Sequence, residues 1–474
     1  MNKLKLFISN FLIYGLGSIA GKLIPFIMLP VITRLMPEAK YFGLNELVVT
    51  FVSFGSAIAI LGMYDAVFRM FFDDDSEDFK KRVCSTALCF TLFTSAIVFL
   101  AIILFKDYLA IAVYGSTEYE VLVYIAAISV LIGSTNSILG IPTRAQNQSK
   151  VFVTLNIVTA IVSYSLSIPL LLKGYYLVAV PLAGVLAVLT NGAVFWYLNR
   201  RWFDFKLFEY DKLKEMLKIA VPLLPIFLIY WVFSSCDRLV ISKVLGNDQV
   251  GIYSIGAKVA SVSQLIYAAF AGGWQYFAFS TMKDEKQVEN NSKVYEYLGI
   301  ISFVALAFVC ALCKTFFEIA FTGDYVQGYK VMPMLFLGPL LLMLYQVAGN
   351  QFLVIKKTWP SIFILLSGAI FNILFNYTYV SSLGIEGAAL ANVGGYTVTN
   401  IICGIVLLKM KLIVIKLRFV FMAILCFAVM GIWMFYTYDS LLYGLPIAFL
   451  YSAISAYMYR GDLNNLYKMA LKKR

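Results

Sequence analysis

The sequence predicts an all-α, polytopic membrane protein of about 14 transmembrane helices, built as two six-helix lobes and a C-terminal helix pair. Three observations indicate this fold class: the number of long apolar runs, the distribution of Lys and Arg among the loops, and an internal repeat. Hydrophobic residues make up 61% of the chain, whereas soluble domains contain roughly 45–50%. This composition excludes an ordinary soluble domain.

Fourteen apolar runs are long enough to cross a bilayer, because a helix needs roughly 20 residues to span about 30 Å of hydrocarbon. They lie near residues 11–33, 43–63, 83–105, 121–141, 151–172, 176–198, 219–241, 250–272, 297–316, 331–353, 361–380, 385–408, 419–437 and 441–459. The connectors are too short to hold a catalytic domain outside the membrane. We therefore expect the protein to act within the membrane and to have no enzymatic activity.

The charged residues predict the topology. With the N-terminus placed in the cytoplasm, 28 of the 38 Lys and Arg residues fall in cytoplasmic segments, 7 in outer loops and 3 within spans. Cytoplasmic loops retain an excess of Lys and Arg, so both termini are predicted to be cytoplasmic. This topology, together with attraction to anionic lipid headgroups, accounts for the net charge of +12 without nucleic-acid binding.

The cysteine and histidine content argues against a metal or redox site. The chain has no histidine, which excludes His-ligated metals and His-based triads. Its seven cysteines are scattered through apolar segments, and the pair Cys310 and Cys313 lies within a predicted span, where cysteine is typical of membrane packing. We expect no cofactor, and coupling to a proton or sodium gradient stays open.

The chain repeats at about 207–210 residues. Landmarks recur in the same order: Thr33-Arg34-Leu35 with Gly43 and Ser242-Lys243-Val244 with Gly251, then Arg144–Lys150 and Asn350–Lys357, then Lys173-Gly174 and Leu383-Gly384. Six spans per unit give both halves the same orientation, related by an axis along the membrane normal. The predicted domains are an N-lobe (1–198), an amphipathic cytoplasmic linker (199–218), a C-lobe (219–408), and a hairpin with a cytoplasmic tail (409–474).

Two lysines lie deep within predicted spans, Lys22 in the first and Lys258 in the eighth. A charge at the bilayer centre costs about 2.5–3.5 kcal/mol on insertion scales, so such a group faces protein or a water-filled cavity. Snorkelling to the interface is the alternative for Lys22. Because both deep charges are cationic and belong to different lobes, we expect a cavity that binds an anionic cargo, such as a phosphate or diphosphate group.

Six further ionisable residues near the ends of spans are candidates for substrate access, release or pairing: Arg69, Arg144, Arg238, Asp65, Asp237 and Glu46. Asp65 and Arg69 are four residues apart and predict a helical ion pair. Asp237 and Arg238 fit a local ion pair near the outer interface. For Arg144, in a cytoplasmic loop, a topogenic role and a phosphate-binding role are both open. The three carboxylates are also the candidates for proton or sodium coupling.

Several short motifs carry a family resemblance. Pro30-Val-Ile-Thr-Arg34 with Tyr41-Phe-Gly43 and Phe68-Arg69 resembles the opening of the Wzx-type O-antigen and polysaccharide flippases, as does Asp237-Arg238-Leu-Val-Ile with Val250-Gly-Ile-Tyr253 in the second half. These transporters belong to the multidrug/oligosaccharidyl-lipid/polysaccharide exporter superfamily. The resemblance implies alternating access around a central cavity in the bacterial inner membrane. The implied substrate is an undecaprenyl-diphosphate-linked oligosaccharide, moved from the cytoplasmic to the periplasmic leaflet.

The resemblance also bears on the two deep lysines. In lipid II flippases, which have a similar extra C-terminal helix pair, basic residues on the first and eighth helices hold the diphosphate. Lys22 and Lys258 stand at those positions, with Lys where Arg is common. A lysine binds phosphate as a point charge, without the bidentate geometry of arginine. The implied partners are the lipid-linked oligosaccharide, membrane lipids, and a polysaccharide polymerase with its chain-length regulator.

Two alternative functions remain at this point. A multidrug antiporter of the same superfamily predicts an acidic cavity for cationic drugs. A membrane-embedded polysaccharide polymerase or ligase predicts a large periplasmic loop with catalytic arginines, but the outer loops here are short. The sequence does not identify the sugar.

Overall fold

The computed structural model describes residues 24–264, 266, 286–357, 359–437 and 441–464. Regular secondary structure in these residues is entirely helical, which confirms the predicted all-α membrane fold. Eleven helical segments are long and apolar enough to cross a membrane. The first and eighth predicted spans lie only partly within the described ranges, so the number fourteen stays a prediction.

The principal helices as far as residue 199 are α1 (Ile24–Leu35), α2 (Ala39–Ile60), α3 (Met63–Met70), α4 (Glu77–Leu104), α5 (Glu120–Leu139), α6 (Ser149–Leu172) and α7 (Ala179–Asn199). They are followed by α8 (Tyr210–Ala220), α9 (Leu224–Trp231), α10 (Asp237–Leu245) and α11 (Asn247–Ala260). The remaining helices are α12 (Gln287–Ala320), α13 (Met332–Val354), α14 (Trp359–Lys409), α15 (Leu417–Ile432) and α16 (Leu441–Met458). Helix α14 contains two predicted spans, separated at Gly384 (φ 64°, ψ −150°), where glycine permits a backbone that other residues rarely adopt.

The backbone shows the internal repeat independently of residue identity. Three pairs of residues with left-handed φ are separated by 208, 209 and 210 residues: Gly115 and Gly323, Asn147 and Lys356, Gly174 and Gly384. Helix packing repeats as well, because α4 contacts α5 and α5 contacts α7, while α12 contacts α13 and α13 contacts α14. An asparagine amide reinforces each half, from Asn136 to the Val188 carbonyl (2.6 Å) and from Asn400 to the Leu341 carbonyl (2.9 Å).

The linker helix α8 packs on the ends of α3 and α4. Its apolar side chains Leu213 and Met216 are buried in a core with Met63, Val67 and other residues of that region, whereas Lys214 and Lys218 are exposed. The apolar face predicted for this segment therefore lies against protein. The division of the chain into N-lobe, linker, C-lobe and hairpin stays a prediction; contacts group the chain into two compact units, Met1–Ser254 and Ile255–Arg474.

Within the first unit, α2 and α11 cross with their backbones in contact. A Cβ atom added at Gly43 would lie 2.0 Å from the Asn247 carbonyl oxygen, and one added at Gly251 would lie 2.1 Å from the Ala39 carbonyl oxygen. Each glycine thus faces the backbone four residues before the other glycine. Small residues at such crossings let membrane helices approach closely and gain van der Waals contact. We call this contact the glycine crossing.

In the second unit, a charged cluster joins α12 to the C-terminal hairpin. Arg418 at the start of α15 donates from Nε to Glu296 (2.6 Å) and from Nη2 approaches Asp462 beyond α16 (2.8 Å). The Tyr459 hydroxyl donates to Glu296 at 2.9 Å, and the Arg418 guanidinium lies 4.2 Å from the Tyr459 ring. Glu296 is buried, so these partners offset the cost of removing its charge from water.

Replacing Gly43 by Ala is expected to destabilise the protein, because the new methyl group meets backbone atoms that cannot rotate away. Overpacking of this kind costs about 1–3 kcal/mol. The melting temperature of the detergent-purified protein should fall. Gly184→Ala is the matched control, since no atom lies within 4 Å of its added Cβ and alanine favours helix. Equal melting temperatures for the two variants would contradict the close crossing.

Arg418→Gln is expected to lower the melting temperature, because Glu296 loses its strongest donor while it stays buried. Hydrogen bonds to charged groups contribute about 1.5–3 kcal/mol. Arg460→Gln serves as control, since Arg460 is exposed and contacts the Tyr457 ring at 4.8 Å. If both arginine variants have the melting temperature of the parent protein, the charged cluster does not stabilise the attachment of the hairpin.

Candidate functional site

The structure leaves the two lysines of the predicted cavity untested. Lys22 lies outside the described residues. Lys258 is on α11 and is half-buried, and its backbone carbonyl accepts a hydrogen bond from the Ser261 hydroxyl at 2.6 Å. Their meeting in one chamber therefore stays a prediction.

Glu46, Asp237 and Arg238, three of the candidates from the sequence, lie together in the first unit beside the glycine crossing. Arg238 Nε lies 3.8 Å from Glu46 Oε2 and donates to the Ser254 hydroxyl at 3.1 Å, and its Nη1 donates to the Ser234 carbonyl at 2.7 Å. The Glu46 side chain is 3% exposed and that of Arg238 15%. The adjacent carboxylate of Asp237 accepts from the buried Tyr253 hydroxyl at 2.6 Å.

We call Glu46, Asp237, Arg238, Tyr253 and Ser254 the outer cluster, because the predicted topology puts them near the outer surface. The sequence identified its three charged members but neither of the two hydroxyl-bearing residues, Tyr253, which donates to Asp237, and Ser254, which accepts from Arg238. Tyr253 was noted only as part of a family motif, and Ser254 gave no signal. Two carboxylates and one guanidinium in a poorly hydrated place make this cluster the principal buried charge network of the first unit.

The other candidates lie at the predicted cytoplasmic end. Arg69, near the end of α3, forms an ion pair with Asp73, which lies four residues later in the turn that follows the helix. The predicted pair between Asp65 and Arg69 is therefore wrong within the described structure: the next acidic residue on the same face competes for the guanidinium. Loss of water raises the pKa of the Asp65 carboxyl, and the nearby Arg144 charge opposes that rise.

Arg144 has a different environment from Arg69. Its Nη1 donates to the Tyr64 hydroxyl at 2.6 Å, and its guanidinium lies 5.8 Å from the centre of the Tyr64 ring. Phe68 stacks on the same ring at 6.3 Å. In the part of the chain that the structure describes, no carboxylate lies within 4 Å of Arg144. The side chain is exposed, so an oriented guanidinium is presented to the surroundings with no described carboxylate in direct contact, while Asp65 lies near enough to interact with its charge.

Every buried carboxylate of the described residues has a donor. Besides Glu46 and Asp237, the only other buried acidic residue in those ranges is Glu296, which is held by Arg418 and Tyr459. The same ranges contain no group of three Cys, Asp or Glu residues that could hold a metal ion. The described interior therefore offers charged networks with internal partners.

Glu46→Gln is expected to destabilise the protein, because Arg238 would remain buried without its anion. Removing one partner of a buried pair costs about 3–5 kcal/mol, and the double variant Glu46→Gln/Arg238→Gln should lose less than the sum of the single losses. Thermal unfolding of the purified variants measures both effects. The exposed Glu118→Gln is the control. Additive losses in the double variant would show that Glu46 and Arg238 do not interact.

The sequence matches the model of a known protein family. The model of a polysaccharide biosynthesis protein family matches residues 31–328. A curated protein of the Lsg locus of Haemophilus influenzae is 23% identical over 290 residues, which cover 58% of this chain and 67% of that protein. The match at residues 31–328 includes the outer cluster and the Arg144 region.

Solved structures with the same fold are membrane transporters. The lipid II flippase MurJ in an inward closed conformation has a TM-score of 0.70 at 14% identity, covering 95% of this chain and 99% of that chain. An inward-facing multidrug transporter of the MATE family and the MOP superfamily has a TM-score of 0.64 at 15% identity, covering 82% and 94%. A MOP superfamily transporter from Pyrococcus furiosus has a TM-score of 0.56 at 17% identity, covering 86% and 95%.

These identities are low, so the solved structures establish the fold and not the substrate. The family model is a separate observation that matches more than half of the chain. The resemblance seen in the sequence motifs is thereby confirmed. The chain is a multi-pass membrane protein with the fold of the MOP superfamily transporters, and it belongs to the polysaccharide biosynthesis protein family.

Proposed function

We propose that this protein is a flippase that moves an undecaprenyl-diphosphate-linked oligosaccharide, an O-antigen or capsule repeat unit, from the cytoplasmic to the periplasmic leaflet by alternating access. The proposal puts the protein in the bacterial inner membrane with both termini in the cytoplasm. Family membership supports a role in polysaccharide biosynthesis. The similarity to a lipid II flippase supports a fold suited to lipid-linked cargo.

The choice of an anionic cargo rests on which charged side chains already have partners within the protein. Glu46, Asp237 and Glu296, the buried carboxylates of the described residues, are all engaged by donors within the protein. An antiporter for cationic drugs needs carboxylates that can accept the drug. Arg144, in contrast, is an exposed cation with no carboxylate within 4 Å among those residues.

In this proposal Arg144 receives the diphosphate on the cytoplasmic side. Tyr64, on whose ring Phe68 stacks, holds the guanidinium in place, which lowers the conformational entropy lost when it binds an anion. Lys22 and Lys258 then neutralise the diphosphate within the cavity, and Arg69 assists at the cytoplasmic end. The polyprenyl chain stays in the bilayer; the second unit has an apolar cavity of about 400 Å³, lined by Phe303, Leu341 and Phe419 among others, that could hold part of it.

The glycine crossing and the outer cluster form the closed outer end in this mechanism. Opening toward the periplasm requires the contact of α2 with α10 and α11 to separate, including the pair of Glu46 with Arg238. A substrate can drive this change only if it binds the two states with different affinity. Protonation of Glu46 or Asp237 would weaken the cluster, which makes these residues our candidates for coupling to a proton or sodium gradient.

Two other functions remain as alternatives. A multidrug antiporter shares the fold, and resistance assays in a drug-sensitive strain separate it from the flippase. A polysaccharide polymerase or ligase would cause chain-length defects while single repeat units still cross the membrane. Under our proposal, a polymerase and a chain-length regulator instead act as partners that receive the translocated units.

The double variant Lys22→Glu/Lys258→Glu should abolish surface polysaccharide, because two anionic side chains repel the diphosphate. Membrane insertion should be unchanged, as judged by immunoblotting of the membrane fraction. The control reverses two exposed lysines of predicted outer loops, Lys173→Glu/Lys243→Glu, and should export normally. Undiminished polysaccharide in the cavity variant would rule out the assigned role of these lysines, and a gain or loss of drug resistance would favour the antiporter.

A further inference from the structure

A second cavity lies in the second unit, between the two ends of α14. Its volume is about 440 Å³, and its walls come from the first turns of the helix, including Trp359 and Phe363, from the last turns, including Val406, and from Met410 directly after the helix. Trp359 and Phe363 are each 64% exposed, so the cavity is a groove that is open at the protein surface. The polar groups of the lining are Lys357 and Ser367, and the Ser367 hydroxyl already donates to the Ile364 carbonyl (2.7 Å).

Four lysines either line this groove or are next to one of its lining residues in the sequence. Lys357 lines it, Lys356 precedes Lys357, and Lys409 and Lys411 flank the lining residue Met410. All four are exposed, and in the described ranges none has a carboxylate within 4 Å. The chain also contains no Asp or Glu in residues 325–385 or 387–438. Neither the described contacts nor these two segments therefore supply a carboxylate that neutralises the four charges.

The combination of groove and charge is characteristic of a lipid site. Each Lys near a membrane surface contributes about 1 kcal/mol of attraction to anionic lipid, and tryptophan is enriched at the membrane–water interface. A topogenic role accounts for lysines in this loop but not for an apolar groove of ligand-sized volume beside them. The groove begins at the lysines and continues along the apolar faces of both spans, so a headgroup and an acyl chain fit it in that order.

We propose that this groove, the α14 groove, binds one diacyl phospholipid with an anionic headgroup. The phosphate contacts Lys357, Lys409 and Lys411, and one acyl chain lies between Phe363 and Val406. The bound lipid is a resident component of the membrane and not the transported cargo. The inference goes beyond the proposed flippase function and does not depend on it.

Native mass spectrometry of the full chain can test this proposal. The protein is purified in detergent and titrated with phosphatidylglycerol or with phosphatidylcholine of the same acyl chains. We expect one phosphatidylglycerol to bind at least about tenfold more tightly than phosphatidylcholine, as expected for two or more lysines at the phosphate. The triple variant Lys357→Gln/Lys409→Gln/Lys411→Gln should lose this preference. Three other exposed lysines provide the control, Lys150→Gln/Lys206→Gln/Lys286→Gln, which should retain it.

A variant that fills the groove distinguishes a specific lipid site from general electrostatic attraction between the lysines and anionic lipid. Val406→Trp keeps all four lysines and blocks the acyl chain, so it should also abolish tight binding; its melting temperature verifies that it folds. The proposal is overturned if Val406→Trp still binds the lipid tightly. It is also overturned if both lysine variants lose binding equally, or if the protein shows no preference for the anionic lipid. A co-purified lipid with the mass of a polyprenyl diphosphate would overturn it too, since the groove would then hold cargo.

Discussion

The contact between the α2 and α11 backbones at Gly43 and Gly251 constrains the whole outer end of the first unit. Because neither glycine has a side chain, a carbonyl of each helix lies where a Cβ of the other would be. Glu46 is one turn beyond Gly43, and Ser254 is one turn beyond Gly251, so both face the crossing. Arg238 Nε lies 3.8 Å from Glu46 and 3.1 Å from Ser254. A guanidinium that is only 15% exposed is thus positioned by a contact made entirely of backbone.

The two kinds of interaction at this place have different properties. Helix contact in a membrane gains mainly van der Waals attraction, which falls away steeply when the helices separate slightly. The ion pair acts over a longer range, and its strength rises as water is excluded. Under the alternating access that we propose, the protein must open a closed state reversibly. A short-range contact with a charge pair beside it offers a closed state that is well defined and still separable.

The sequence predicts the fold class well because a bilayer imposes simple rules: long apolar runs, positive loops on one side, and backbone bonds satisfied within each helix. The repeat was also visible, and paired left-handed residues such as Gly174 and Gly384 support it in the structure. What the sequence did not show is that the repeat landmarks Gly43 and Gly251 touch one another. Equivalence along a chain does not imply contact in space.

The charged sites were harder to predict than the fold. The pair of Asp65 with Arg69 was reasonable by spacing, but Asp73 is equally spaced on the other side and takes the guanidinium. The cluster of Glu296 with Arg418 joins residues 122 apart, which periodicity within one helix does not reveal. Glu46 and Arg238 were each identified as candidates, whereas their pairing depends on a helix crossing that only coordinates provide. Distances between charges are thus set by packing, which a single sequence encodes indirectly.

The symmetry of the glycine crossing bears on the evolutionary origin of the internal repeat. A contact in which each surface meets its own counterpart is the isologous type that joins identical subunits about a two-fold axis. Residues 39 and 43 meet residues 251 and 247, which are their equivalents at a separation of 208. A half-length progenitor with this contact would have associated as a homodimer, in which one substitution altered both sides at once. In the single chain each side can change separately, and the two equivalent positions beyond the crossing differ: a carboxylate stands at position 46 and a hydroxyl at position 254.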